Sequence, residues 1–230
     1  MILDGIREAR ASGKKLLAVL IDPDKFDAST APDFFRSLPS ATTHIFVGGS
    51  TVEKGLTEAA VKAIRTETDL PLVLFPGDAS QIAANADGIL FLSLISGRNP
   101  EYLIGQQVKS VPQLKLSGLE IIPTGYLLID GGKETAVQRV TQTLPLPQQE
   151  LELIVSTSLA GEYSGKQLVY LEAGSGAAYP ISREVISAVK AAISIPLIVG
   201  GGIRTPEQLQ AAFDSGADMV VMGTVFENQE

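Results

Sequence analysis

There is no cysteine in the 230 residues and only one histidine, His44. Without cysteine, disulfides and thiolate chemistry are excluded. A single imidazole excludes any centre built on two or more histidines. Charge is scarce as well, at 19% of residues, and acids outnumber bases to leave a net charge of −8. That balance argues against nucleic acid as a partner. No apolar run approaches the roughly 20 residues of a membrane span. The N-terminal stretch MILDGIREARASGKKL lacks the apolar region of a signal peptide. These absences point to a soluble, cytoplasmic protein. What is present is globular composition, 45% hydrophobic, enough to bury a sizeable core. No linker or low-complexity stretch interrupts it, so residues 1–230 read as one domain.

The apolar residues gather in eight short runs, at 16–21, 44–47, 72–75, 88–94, 120–123, 168–172, 196–199 and 219–222. Several are continuous, as expected of parallel strands covered on both faces. Helical spacing lies between most of them. Residues 51–66 carry Leu56, Ala60 and Ile64 on one face, and 183–193 carry Val185, Ile186, Val189 and Ile193. Thr205-Pro206-Glu207-Gln208 marks a helix start, with threonine as N-cap, proline at the first position and glutamine at the third. That helix is expected to bury Leu209, Ala212 and Phe213 and to end at Gly216. Eight β/α repeats predict an α/β fold, the TIM (β/α)8 barrel, with a doubly wound open sheet as the alternative. Only about a dozen residues separate the third run from the fourth, and they include Pro76-Gly77, which is tight for a crossover helix. The third helix is therefore expected to be replaced by an irregular segment. The chain stops soon after the last run, so the eighth helix is expected to be short or missing.

In such a barrel the chemistry sits at the C-terminal ends of the strands, and phosphate commonly binds after strands seven and eight. Val199-Gly200-Gly201-Gly202-Ile203-Arg204 follows the seventh run, and Met222-Gly223-Thr224 the eighth. Bare glycine backbone lets N–H groups reach a phosphate closely, and Thr224 adds a hydroxyl. The same glycines could simply make tight turns. The sixth run ends in Tyr170-Leu171-Glu172-Ala173-Gly174-Ser175-Gly176. By alternation Tyr170 and Glu172 share a side of the strand. Glu172 is thus set where it could accept a hydrogen bond, or a proton, from a hydroxyl of a phosphorylated ligand; otherwise it is a solvated loop carboxylate.

Across the predicted barrel mouth, the first run ends in Asp22-Pro23-Asp24-Lys25 and the second in Gly48-Gly49-Ser50-Thr51. Asp22 with the Ser50 hydroxyl makes a partial shell for Mg²⁺, which takes few protein oxygens and completes its octahedron with water and substrate phosphate. The Asp-Pro-Asp stretch equally fits an Asx-type turn. His44 reads as structural, and Tyr126 and Tyr163 as core or pocket wall.

LIDPDK (20–25), VGGST (47–51), FPGDASQI (75–82), SLISGRNPEYLIGQ (93–106), PTGYLLIDGGK (123–133), YLEAGSGA (170–177), VGGGIRTPEQ (199–208) and VMGT (221–224) together resemble the geranylgeranylglyceryl phosphate synthase family, which includes the bacterial heptaprenylglyceryl phosphate synthases. The LIDPDK form and the SGRNP stretch resemble its second group. The resemblance implies a modified TIM barrel whose third helix is replaced by an irregular segment. It implies an enzyme joining the 3-hydroxyl of sn-glycerol 1-phosphate to a polyprenyl diphosphate, geranylgeranyl or longer, with release of diphosphate. Carried over by motif, the glycerol phosphate contacts Tyr170, Leu171, Glu172, Ala173, Gly174, Ser175, Gly176, Gly201, Gly202, Gly223 and Thr224. Mg²⁺ sits at Asp22 and Ser50, and Glu172, Tyr170 and Asp22 carry the chemistry. A homo-oligomer, dimer or hexamer, and peripheral membrane contact for product release are also implied. Two other readings stay open on the residues alone: a sugar-phosphate isomerase using Asp22 and Asp130, and a non-catalytic barrel that binds a phosphorylated metabolite.

Overall fold

The computed structural model describes residues 1–223. Eight parallel strands close into a barrel in sequence order, β1 pairing with β8. They are β1 (Leu16–Ile21), β2 (Thr42–Val47), β3 (Leu72–Leu74), β4 (Gly88–Leu94), β5 (Glu120–Leu128), β6 (Leu168–Glu172), β7 (Leu197–Gly200) and β8 (Met219–Met222). This is the closed barrel and not the open sheet. β5 runs past Pro123, its predicted end, paired with β4 as far as Tyr126 and with β6 as far as Leu128. The proline's missing N–H does not stop the ladder, because its carbonyl still accepts from Gln167.

Alternation sorts the strand residues into two layers. Leu16, Ala18, Phe46, Val73, Leu90, Ile122, Tyr170, Ile198 and Met219 fill the barrel. Leu17, Leu127, Val169, Leu171, Leu197 and Val220 face outward beneath the helices. The base of the barrel is plugged by α1 (Ile2–Ala11), whose Ile2, Leu3, Ile6 and Ala9 pack into the interior cluster. The Glu120 carboxylate holds its start, accepting from the Ile2 and Leu3 N–H groups at 2.5 and 3.0 Å.

Outside the barrel run α2 (Ala31–Ser37), α3 (Leu56–Glu67), α4 (Gln106–Ser117), α5 (Ala136–Thr141), α6 (Leu151–Tyr163), α7 (Arg183–Ala192) and α8 (Pro206–Asp214). A single π-helical turn, Glu101–Gly105, precedes α4. α3 starts five residues later than its apolar spacing suggests. Gly55, at φ 92°, caps it in the left-handed region, and the residues before it form a turn over the barrel mouth. α8 is capped as predicted, with the Thr205 and Gln208 side chains bonding reciprocally in a capping box. No helix lies between β3 and β4, so the wall of helices is open there. The expected stub of an eighth helix after β8, and Thr224, lie outside the described residues.

His44 belongs to β2 and is buried; burial, aided by the Lys14 charge, pushes its imidazole down to about 4. Its Nδ1 lies 2.9 Å from the Thr43 hydroxyl, a structural role. Tyr163 is neither core nor pocket wall: it ends α6 and is 82% exposed. No helix among the described residues is long and apolar enough to cross a membrane.

Candidate active site

A cavity of about 550 Å³ opens at the C-terminal ends of the strands. It gathers Asp22 and Ser50 from one side and Tyr170, Glu172, Gly174, Ser175, Gly176, Gly201, Gly202 and Gly223 from the other. Leu171 and Ala173 are not part of it. The alternation that turns Tyr170 and Glu172 inward turns these two outward, into the layer between barrel and helices. Asp130 also lies elsewhere, accepting from the Tyr179 hydroxyl and the Gly132 N–H. The acid/base pair that an isomerase would need is therefore not assembled with Asp22.

Glu172 is the buried charge of the site. It ends β6 facing the barrel axis, 6% exposed, and accepts from the Gly174 N–H at 2.6 Å. Burial pushes its carboxyl up to about 7, against the pull of the Gly174 amide and the nearby Tyr170 hydroxyl. Tyr170 is fully buried, and its hydroxyl makes no hydrogen bond of standard geometry. Its pKa is raised well above the ordinary value, first by burial and then by the Glu172 and Tyr126 charges. The hydroxyl is enclosed beside Glu172, whose charge and hydrogen bonding both raise the phenol, and it in turn steadies the Glu172 carboxylate.

The triple glycine after β7 is explained by these two side chains. A Cβ on Gly200 would overlap the Tyr170 hydroxyl, and one on Gly201 would stand 2.5 Å from Glu172 Oε1. Gly201 and Gly202 also have φ of 83° and 72°, where L side chains are strained. The glycines thus clear space for Tyr170 and Glu172 and turn the chain back over them. At Gly223 nothing presses: a Cβ would sit 3.4 Å from Leu20, an ordinary contact. Cations missed in the sequence complete this side. Lys133, Arg139 and Arg204 line the cavity, and the Lys133 ammonium is 3.8 Å from the Cβ position of Gly176.

On the opposite side the Asx-type turn is real. Asp22 Oδ1 accepts from the Asp24 N–H at 3.1 Å, and Oδ2 pairs with Lys25 at 3.4 Å. Ser50 stands in a loop locked to the segment after β3. A Cβ on Gly48 would overlap the Phe75 carbonyl oxygen, and one on Gly77 would come within 2.6 Å of the Ser50 carbonyl oxygen. The buried Gln81 joins the two loops. Its amide oxygen accepts from the Gly77 and Gly49 N–H groups, and its nitrogen donates to the Gly49 carbonyl at 3.0 Å.

Among the described residues, no group of three or more histidine, aspartate or glutamate side chains could hold a metal ion alone. Asp22 and Ser50 offer the cavity hard oxygen donors of the kind Mg²⁺ takes when water and a ligand phosphate complete its shell. They do not fit an ion held by protein only.

Between these two sides the cavity extends through the gap in the helix wall. Ile82, the outward-facing Ile89 and Phe91 of β4, and Gln107 and Ser110 of α4 line that arm. It is a mostly apolar groove leading from a polar mouth.

Over 229 residues the chain is 61% identical to a geranylgeranylglyceryl phosphate synthase of Zunongwangia profunda, covering 100% of this chain and 98% of that protein. A protein of the same name from Flavobacterium johnsoniae is 50% identical, covering 97% and 92%. The crystal structure of (S)-3-O-geranylgeranylglyceryl phosphate synthase from Thermoplasma acidophilum, in complex with sn-glycerol-1-phosphate, superposes with a TM-score of 0.91 at 37% identity, covering 100% of this chain and 92% of that one. Residues 10–230 match the model of the PcrB family. The chain belongs to the PcrB family.

Proposed function

We propose that this protein transfers a polyprenyl group, geranylgeranyl or longer, from its diphosphate to the 3-hydroxyl of sn-glycerol 1-phosphate, forming an ether and releasing diphosphate. The observation that carries this reading is the buried Glu172, its carboxyl raised to about 7 beside the Tyr170 hydroxyl, beneath glycine loops and at the head of an apolar groove. The named relatives and the glycerol-phosphate complex of the Thermoplasma protein agree with it.

In this reading the glycerol phosphate lies over the Gly174–Gly176 segment, Gly201, Gly202 and Gly223, with Lys133 near its charge. Tyr170 orients the glycerol, and Glu172 accepts the proton of the attacking hydroxyl. Asp22 and Ser50 would hold Mg²⁺ against the diphosphate, which supplies charge neutralisation for the leaving group. The prenyl chain runs into the arm lined by Ile82, Ile89 and Phe91. The protein's main task is to hold two anions so that the hydroxyl oxygen and the allylic carbon are in line. The reading also takes the enzyme to be a cytoplasmic homo-oligomer, dimer or hexamer, that touches the membrane peripherally. The exposed Ile104, Val108 and Val111, spaced one helical turn apart beside the groove, support a covered surface there.

The direct test is purified protein with Mg²⁺, sn-glycerol 1-phosphate and geranylgeranyl diphosphate or longer homologues. Extractable prenyl ether and one diphosphate per turnover are expected; no ether product with any donor overturns the reading. Two variants probe its halves. Chelation by EDTA is expected to abolish turnover and Mg²⁺ to restore it, while Asp22→Asn lowers kcat/KM by roughly 100-fold. Activity that survives chelation removes the metal from the reading. Gly223→Ala is expected to leave the melting temperature unchanged, because its Cβ has room. It should raise KM for glycerol 1-phosphate about ten-fold, the worth of one lost close backbone contact. An unchanged KM would take the phosphate away from that loop.

A further inference from the structure

Four aromatic rings meet inside the mouth of the barrel. Phe75 stacks on Tyr170, with ring centroids 5.1 Å apart and planes 19° apart. Tyr126 closes on both, 5.9 Å from Phe75 and 5.5 Å from Tyr170, and Phe46 lies behind Phe75 at 6.4 Å. Tyr170 and Tyr126 are buried, whereas Phe75 stays partly exposed to the cavity. Packing an apolar core does not require this concentration, because the rings stand at the polar end of the barrel, next to the one buried carboxylate of the site.

The position of Phe75 is unusually fixed. Its N–H donates to the Val47 carbonyl at 2.8 Å, its own carbonyl presses on bare Gly48, and Gln81 fastens the following turn to Gly49. The contacts therefore run in one chain. Ser50 and its loop touch the Phe75 segment, the Phe75 ring touches Tyr170, and Tyr170 stands beside Glu172. Phe75 lies midway between the side read as holding the diphosphate and the side read as holding the acceptor.

We infer that Phe75 is a catalytic residue whose ring face stabilises the positive charge that develops on the allylic carbon. The inference rests on the prenyl-transfer reading. In that step the bond from the allylic carbon to the diphosphate oxygen breaks, and its electron pair leaves with the diphosphate. The glycerol oxygen forms the new bond to the carbon, and its proton goes to Glu172. While the old bond is mostly broken, the carbon carries positive charge in a water-poor pocket, and the negative face of an aromatic ring attracts it. Tyr170, stacked on one face of the Phe75 ring, and Tyr126 beside it also hold that ring in position, and its opposite face is the one assigned to the carbon.

The test replaces Phe75 with phenylalanines carrying one, two and three ring fluorines, which keep the shape while draining the ring face of negative charge, and separately with leucine. An ordered fall in kcat is expected, reaching about ten-fold at the trifluoro ring and in Phe75→Leu. For the fluorinated rings KM for glycerol 1-phosphate and the melting temperature should stay near those of the parent protein, whereas Phe75→Leu also loses the stacking on Tyr170 and is read on kcat alone. A kcat indifferent to fluorination overturns the inference while the parent protein still makes ether. If the parent protein makes no ether, the prenyl-transfer reading itself has failed and the inference falls with it.

Discussion

Glu172→Gln is expected to lower turnover by roughly 10²- to 10⁴-fold, the usual worth of a general base, while making the folded protein more stable at pH 8. Both effects come from one placement. Burial raises the carboxyl from 4.5 to about 7, so the fold prefers the neutral acid and the chemistry needs the charged base. For a group whose folded pKa is raised, stability is fully present below the unfolded value, near 4.5, and is lost as pH rises through about 7. At pH 8 the buried charge costs on the order of 3 kcal/mol, and glutamine removes it. The melting temperature of Glu172→Gln should therefore exceed that of the parent by several degrees at pH 8 and converge with it near pH 5. The parent's kcat/KM should fall about ten-fold per pH unit below 7. A flat profile between pH 5.5 and 8, or a variant less stable at pH 8 than at pH 5 relative to its parent, would refute this account of the residue.

The same residue marks where sequence reasoning stops. Period-2 alternation at the end of β6 is enough to put Tyr170 and Glu172 on one side, and the strand bears it out. Applied evenly, that alternation also removes Leu171 and Ala173 from the cavity, and a motif carried over as a block hides this. The barrel, the missing helix between β3 and β4 and the cap at Thr205 were legible because each is a local matter of run length, spacing or cap chemistry. α1 carries an equally local signal, with Ile2, Leu3, Ile6 and Ala9 at helical spacing. A stretch weighed only as a targeting segment gives no reason to expect a plug for the barrel.

The glycines are a different case. Their bareness is visible in the sequence, but its cause is not. Gly200 and Gly201 look like phosphate loops, and they are first of all the space that Tyr170 and Glu172 occupy. Which atoms crowd a glycine depends on side chains brought in by another strand, and only closure of the barrel settles the partners. The pKa of Glu172 belongs to the same class, since its rise is set first by the depth of burial, which only the closed barrel fixes.

The lock between the loops after β2 and β3 yields the second large effect. Gly48→Ala is expected to destabilise the protein by about 3 kcal/mol, a loss of about 6–12 °C in Tm for a chain of this size, and to cut kcat/KM by roughly 100-fold in the protein that remains folded. The backbone of Gly48 is not in the left-handed region, so the cost is purely one of space. The new methyl overlaps a carbonyl oxygen that cannot rotate away, because Phe75 is bonded to Val47 and the turn after it to Gln81. The collision must move the Phe75 segment, the Ser50 loop or both, and these carry the central ring and one of the two residues proposed to hold the metal. Gly77→Ala should behave alike, since its Cβ would meet the Ser50 carbonyl oxygen at 2.6 Å. Gly5→Ala, within α1 and with nothing inside 4 Å, is the control. It should gain about 0.5–1 kcal/mol from helix propensity alone and leave kinetics untouched. Thermal melts and steady-state kinetics on the three variants separate the cases. If Gly48→Ala melts and turns over like Gly5→Ala, the two loops yield freely, and Phe75 is not held in place by its backbone.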